Sequence, residues 1–202
     1  MEPTTDIKKI IGISVLMIVV IGGIYWFTNN KLPSTNQNNQ PADTDQTETN
    51  MEIPKEIIKA TINTDKGAIV LNLYPNAAPK TVENFVTKAK AKYFDGLKFH
   101  RVEDWVIQGG DPLSRDASKE AQWGTGGGNI DTELSPFPFI EGALGVARGQ
   151  DIKVSNDSQF FIVTKDSNFL DNQYTLFGQV VEGMDVVKKV AKGDTIISIV
   201  VQ

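Results

Sequence analysis

The chain has 202 residues, one histidine, no cysteine and a formal net charge of −5. That length accommodates one ordinary domain plus appendages. The acidity argues against a nucleic-acid partner, which would need a basic surface, and the missing cysteines exclude disulfides, thiolate nucleophiles and zinc–thiolate sites.

Residues 10–27 (IIGISVLMIVVIGGIYWF) carry no charge. At ~1.5 Å rise per residue the run covers about 27 Å, close to the ~30 Å hydrocarbon core of a bilayer. Tyr25 and Trp26 sit at one end, where aromatic rings favour the interface, and Lys8 and Lys9 precede it. These features predict a transmembrane signal-anchor helix with residues 1–9 in the cytoplasm. A cleaved signal peptide is the alternative. Its apolar core would be shorter and would end in small residues, not in Tyr25-Trp26-Phe27. Residues 28–56 are rich in Asn, Gln, Thr, Asp and Pro and read as a flexible polar linker. As a coil, roughly 27 such residues reach about 30 Å. A domain over 57–202 is then expected outside the cytoplasm, held at the cell membrane through residues 10–27. Reverse topology, with that domain in the cytoplasm, is the competing arrangement.

Within the domain, residues 58–64 and 68–74 alternate apolar and polar around Asp65-Lys66-Gly67, which predicts a β-hairpin. Residues 79–93 predict a helix, with Pro79 in its first turn and Val82, Phe85, Val86 and Ala89 on one face. Asp95-Gly96 reads as a turn, 97–102 as a strand and the Gly-rich stretch 114–131 as a long loop. Strands are expected over 142–147, 159–164, 175–181 and 195–201. A second helix is expected over 183–192, with Met184, Val187, Val190 and Ala191 inward. Many short strands with two helices indicate a mainly-β barrel or sandwich. Leu144, Val146, Ile162, Phe177 and Val180 are candidate core residues. Alternation points Phe161 toward a site and Phe160 toward the core.

Chemistry-bearing residues cluster in three short runs: Phe99-His100-Arg101, Gln108-Gly109-Gly110-Asp111-Pro112 and Ser158-Gln159-Phe160-Phe161. They supply a permanent cation, an amide and aromatic walls. Gly124 to Gly128 is not followed by Gly-Lys-Ser/Thr, so it does not read as a phosphate loop. No G-x-S-x-G is present in the domain, and His100 would be the sole base available, which argues against a serine hydrolase. Asp111 and Asp171 sit in turn contexts and read as structural. A guanidinium, an amide and apolar walls suit a reaction that breaks only the partial double bond of an amide, namely rotation about an Xaa-Pro bond.

The ordered motifs FHR, WVIQGGDP, GTGGG, GALGVAR, NDSQFFIV and FLDNQYTLFGQVVEGMDVV resemble the cyclophilin family of peptidyl-prolyl cis–trans isomerases over essentially all of 57–202. The resemblance implies a closed eight-stranded antiparallel β-barrel capped by two α-helices. It implies proline-containing polypeptides as substrates; the anchor and tether point to exported or surface proteins as clients, no ligand cluster with metal spacing implies a metal or cofactor, and a monomer is expected. Arg101 matches the family's essential arginine, with His100 beside it, and Gln108 is the glutamine of QGG; these three are the expected catalytic group. Trp105 stands in place of a phenylalanine in the proline pocket and Val106 in place of a methionine. Ala147 and Arg148 lie on the segment that pairs with substrate backbone, and Arg148 stands where many members have asparagine. Gln159 and Phe161 keep their identities. Phe169 stands where tryptophan or phenylalanine is found, Leu170 is kept, and Tyr174 replaces a frequent histidine. The run between FHR and QGG is one residue shorter than in many members. Trp105 and Val106 reshape the pocket and bear on substrate preference, and Phe169 implies weak binding of cyclosporin-type inhibitors. A non-catalytic proline-peptide receptor or holdase using the same groove is the other function class these residues permit.

Overall fold

The computed structural model describes residues 56–202. The expected spanning helix at 10–27 and the linker up to residue 55 lie outside the described residues. Among the described residues, no helix is long and apolar enough to cross a membrane.

The hairpin forms as the alternation predicts. Strand β1 (Ile58–Thr64) pairs with β2 (Gly67–Leu73) in antiparallel register, Thr64 opposite Gly67, so Asp65 and Lys66 make the turn. Ala60 and Ile62 face inward from β1, and Ile69, Leu71 and Leu73 from β2. Helix α1 (Pro79–Lys90) starts with its proline, which has no N–H to leave unpaired. Ala78 offers no side-chain cap, so the cap comes from a distant segment. The Glu133 carboxylate accepts from the Lys80 N–H (3.1 Å), the Thr81 N–H (2.8 Å) and the Thr81 hydroxyl (2.7 Å). The helix buries Val82, Phe85 and Ala89 and ends before the expected 93, where Lys92 adopts a left-handed backbone (φ 58°).

The remaining strands are β3 (Arg101–Glu103), β4 (Val106–Gly109), β5 (Asn129–Asp131), β6 (Ala143–Arg148), β7 (Val154–Val163), β8 (Leu176–Glu182) and β9 (Ile196–Val201). They form one antiparallel sheet in the order β3-β4-β7-β6-β8-β2-β1-β9, with β5 added along β7. The expected closed eight-stranded barrel is therefore corrected. The sheet has nine strands and curls, but its ladder stays open between β3 and β9. One bridge, Lys98 to Thr195, joins the two ends, flanked by Phe99 N–H to Asp194 O (2.9 Å) and Ile196 N–H to Leu97 O (2.8 Å). The expected strand at 97–102 shrinks for the same reason. Leu97 and Phe99 are fully buried; the Leu97 carbonyl and both backbone groups of Phe99 go to the Gly193–Ile196 turn, and the Leu97 N–H to Phe94 O, rather than to a ladder.

Two further expectations change. The second helix is a single turn, α2 (Met184–Val187), after Gly183 in a left-handed conformation (φ 88°). Tighter bonds, Lys189 N–H to Val186 O and Val190 N–H to Val187 O, then carry Val187 and Val190 inward together and leave Ala191 exposed. The stretch 114–131 is not a plain loop. It holds short 3-10 turns over Pro112–Arg115 and Ala117–Gln122, capped by Asp111 on Leu113 N–H (2.7 Å) and Asp116 on Ser118 N–H (2.9 Å), and ends in β5.

The main core lies between α1 and the sheet. Phe85 is its hub, meeting Phe94 (5.1 Å between ring centres), Phe177 (5.3 Å) and Phe160 (5.7 Å, edge-on). All five candidate core residues are buried there. A second, smaller core of Val106, Phe139, Ala143, Phe161, Val163, Leu170 and Leu176 lies apart from it. The candidate site sits on this second core.

Candidate active site

Sheet register builds the site. Arg101 on β3 lies opposite Gln108 on β4, Gln108 opposite Phe161 on β7, and Phe161 opposite Gly145 on β6. One row across four strands therefore carries a guanidinium, an amide, an aromatic ring and a position with no side chain. Gly145 is required there. A Cβ on it would run into the Phe161 ring and lie 2.7 Å from Phe139, which stacks on Phe161 at 5.7 Å. That stack fixes Phe161 as a rigid floor.

A cleft of about 220 Å³ opens over this row. Val106, Phe161 and Leu170 are nearly fully buried and form its apolar floor. Arg101, Gln108 and Trp105 line one part; Ala147, Arg148 and Tyr174 also border it. Nine of the twelve residues expected at the site are thereby brought together. Ala147 falls in a register shift between Val146 and Arg148 and has no opposite residue in β7 or β8. Its backbone interrupts the ladder at the cleft.

The other three residues stand behind or beside the cleft. Gln159 is buried behind Gln108. Its Oε1 accepts from Gln108 Nε2 (3.0 Å), and its own Nε2 donates to the carbonyls of Gly126 (2.7 Å) and Gly124 (3.1 Å). Phe169 is exposed and packs edge-on against Trp105 at 5.2 Å, extending that wall outward. His100 is buried, packs near Gly124, and has no hydrogen-bond partner on either ring nitrogen. Burial pushes its pKa below the ordinary imidazole value, and the nearby Asp111 charge is the largest influence opposing that. Asp111 is fully buried and holds the turn segment, accepting from the Leu113, Gly124 and Gly126 N–H groups.

Arg101 is about two-fifths exposed and held from two sides. Its Nε donates to Glu103 (2.7 Å) and its Nη1 to Gln108 Oε1 (3.3 Å). Glu103 accepts on its other oxygen from the Trp105 indole N–H (2.9 Å). The Arg101 guanidinium in turn lies 5.4 Å from the Trp105 ring. The hydrogen bond from Arg101 is the main reason the Glu103 carboxyl titrates below its usual range. Partial burial, the next largest influence, opposes this.

A family model for "Cyclophilin type peptidyl-prolyl cis-trans isomerase/CLD" matches residues 57–198. The chain belongs to this family. Rotation about Xaa-Pro bonds is the family's reaction. A relative, peptidyl-prolyl cis-trans isomerase 9 of Schizosaccharomyces pombe, is 37% identical over 137 residues, covering 67% of this chain and 22% of that protein. The chain thus spans about a fifth of the yeast relative's length. A protein of Staphylococcus aureus named for the same activity is 36% identical over 172 residues, covering 70% of this chain and 85% of its own. A cyclophilin-type isomerase of Cryptosporidium parvum superposes with a TM-score of 0.64 at 25% identity, over 73% of this chain and 98% of that one. The same parasite protein has also been solved in the presence of the dipeptide Ala-Pro, with a TM-score of 0.63.

Sequence reasoning did not single out Glu103, which holds the Arg101 guanidinium and the Trp105 indole beside the cleft. Part of the signal was present: Arg101 and Glu103 lie two apart on β3, and period 2 in a strand puts them on one face, while Trp105 falls in the turn that follows.

Proposed function

We propose that this cyclophilin accelerates rotation about Xaa-Pro bonds in the cleft over Phe161, with Arg101 as the group that stabilises the twisted state. The barrier to rotation, ~18–20 kcal/mol, comes from delocalisation of the nitrogen lone pair into the carbonyl. In the twisted state that lone pair is localised and accepts hydrogen bonds better. Arg101 donates toward the prolyl nitrogen or the adjacent carbonyl, and its charge does not titrate, so no proton moves. Preorganised donors of this kind contribute a few kcal/mol. Glu103 and Gln108 hold the guanidinium so that little orientation is lost on reaching the twisted state.

Val106, Phe161, Leu170 and Trp105 grip the pyrrolidine ring on one side of the rotating bond. The unpaired backbone at Ala147 receives the substrate main chain. Gln108 orients the amide flank, with Gln159 buttressing it from behind and His100 supporting that packing. The observation that carries this reading is the row Arg101–Gln108–Phe161 over one apolar floor. The dipeptide Ala-Pro used with the parasite relative supports proline-containing peptides as ligands. The uncharged run 10–27 and the polar linker 28–56 further support an extracytoplasmic, membrane-held isomerase acting on exported or surface chains as a monomer.

The test is cis–trans exchange of a short Xaa-Pro peptide, followed by NMR with catalytic amounts of the full chain in detergent micelles. The wild type is expected to accelerate exchange and Arg101→Ala to lose about a hundredfold or more of that, in line with removal of a preorganised donor. Peptide binding without acceleration would replace the enzyme with a proline-binding module. Full turnover in the Arg101→Ala protein would remove the arginine from the mechanism.

A further inference from the structure

We propose that Arg148 is an anion-recognition point at the cleft and that the enzyme favours substrates with a carboxylate side chain, Glu or Asp, adjacent to the isomerised proline. The inference rests on the isomerase reading above and names the substrate class of that same cleft.

The two guanidinium groups at the cleft differ in their surroundings. Arg101 is countered by Glu103 at 2.7 Å. Arg148 has no carboxylate within ion-pairing distance among the described residues. Its acceptors are neutral carbonyls: Nε donates to Gln173 O and Nη1 to Gly149 O, both at 2.9 Å. The guanidinium also lies over the Tyr174 ring at 4.3 Å, and Tyr174 itself meets Phe161 edge-on at 5.8 Å. Arg148 is therefore fixed in direction while its charge stays uncompensated, and Nη2 has no acceptor among the described residues.

A guanidinium already held in place loses little freedom when it takes up a carboxylate, and its planar fork matches that anion. No residue lining the cleft is acidic. On a chain of net charge −5 the cleft is thus a local positive site. Arg148 directly follows Ala147, where the ladder is interrupted and substrate backbone is seated. A side chain next to the proline comes within the guanidinium's reach.

The experiment uses the full chain in micelles and two peptide series with Glu, Gln or Lys, one series immediately before proline and one immediately after it. Exchange rates and peptide Kd are both read by NMR. The expected result is a preference for Glu over Gln of roughly three- to tenfold in one series, shrinking as salt is raised. Arg148→Gln is expected to erase the Glu/Gln ratio and Arg148→Glu to turn it toward Lys. Equal rates and equal Kd for Glu, Gln and Lys in both series, with every peptide accelerated, overturn this inference and leave the isomerase intact. Absence of acceleration and of binding for every peptide overturns both.

Discussion

At the scale of single residues, the site depends on a few side chains that hold others. Glu103 does not itself line the cleft, yet it ties the Arg101 guanidinium to the indole of Trp105, which does. Glu103→Gln should lower kcat/KM by about tenfold, because the guanidinium loses its charged orienting partner. Peptide binding should change less than turnover; an unchanged kcat would remove Glu103 from the positioning role. His100 carries a different signature. As the only imidazole in the chain, it can be followed without interference. Its folded pKa is lowered by burial, whereas the unfolded ring titrates near 6.5. Below about pH 6.5 the unfolded state therefore binds more protons than the folded one. The stability contribution is complete above that pH and is lost as pH falls through the depressed folded value. Urea unfolding at a series of pH values should show this decline setting in as pH falls below about 6.5. His100→Gln should flatten it. A slope unchanged by the substitution would assign the decline to other groups.

At the scale of elements, register does the positioning. The row Arg101–Gln108–Phe161–Gly145 joins two antiparallel pairs, β3–β4 and β6–β7, that lie more than thirty residues apart in the chain. Gly145 lets the Phe139–Phe161 stack form beneath the cleft. Gly145→Ala should cost about 1–3 kcal/mol by overpacking and should tilt the Phe161 floor. Thermal unfolding and peptide affinity should therefore fall together; loss of stability with unchanged affinity would mean that the ring keeps its place. The start of α1 follows a similar logic, since it is capped by Glu133 from a segment far along the chain. The sequence signalled the helix through Pro79 and the Val82, Phe85, Ala89 spacing, but carried no local sign of that cap.

At the scale of the whole molecule, two apolar clusters divide the labour. The larger, centred on Phe85, Phe94, Phe160 and Phe177, packs α1 against the sheet; the smaller carries the cleft. The open ladder between β3 and β9 places the start of the FHR segment at one end of the sheet, where Phe99 is buried and Arg101 emerges. The proposed anchor belongs to this scale as well. Protease added outside intact cells or spheroplasts should digest residues 57–202 if residues 10–27 hold the domain outside the cytoplasm. Protection until the membrane is opened would instead place the domain in the cytoplasm.

The sequence by itself determined the mainly-β class, the β1–β2 hairpin, α1, the inward and outward roles of Phe160 and Phe161, and nearly all the side chains around the cleft. These are local or ordered signals: alternation sets strand faces, 3.6-residue spacing sets a helix face, and short motifs keep their identities along the chain. Tertiary structure decided the rest. Whether the barrel closed depended on where the backbone groups of Leu97 and Phe99 found partners, and α2 shrank because Val187 and Val190 had to enter one core together. The pairing of Arg101 with Glu103 and the uncompensated charge of Arg148 likewise depend on which groups the fold brings within a few ångströms, which spacing along a chain does not encode.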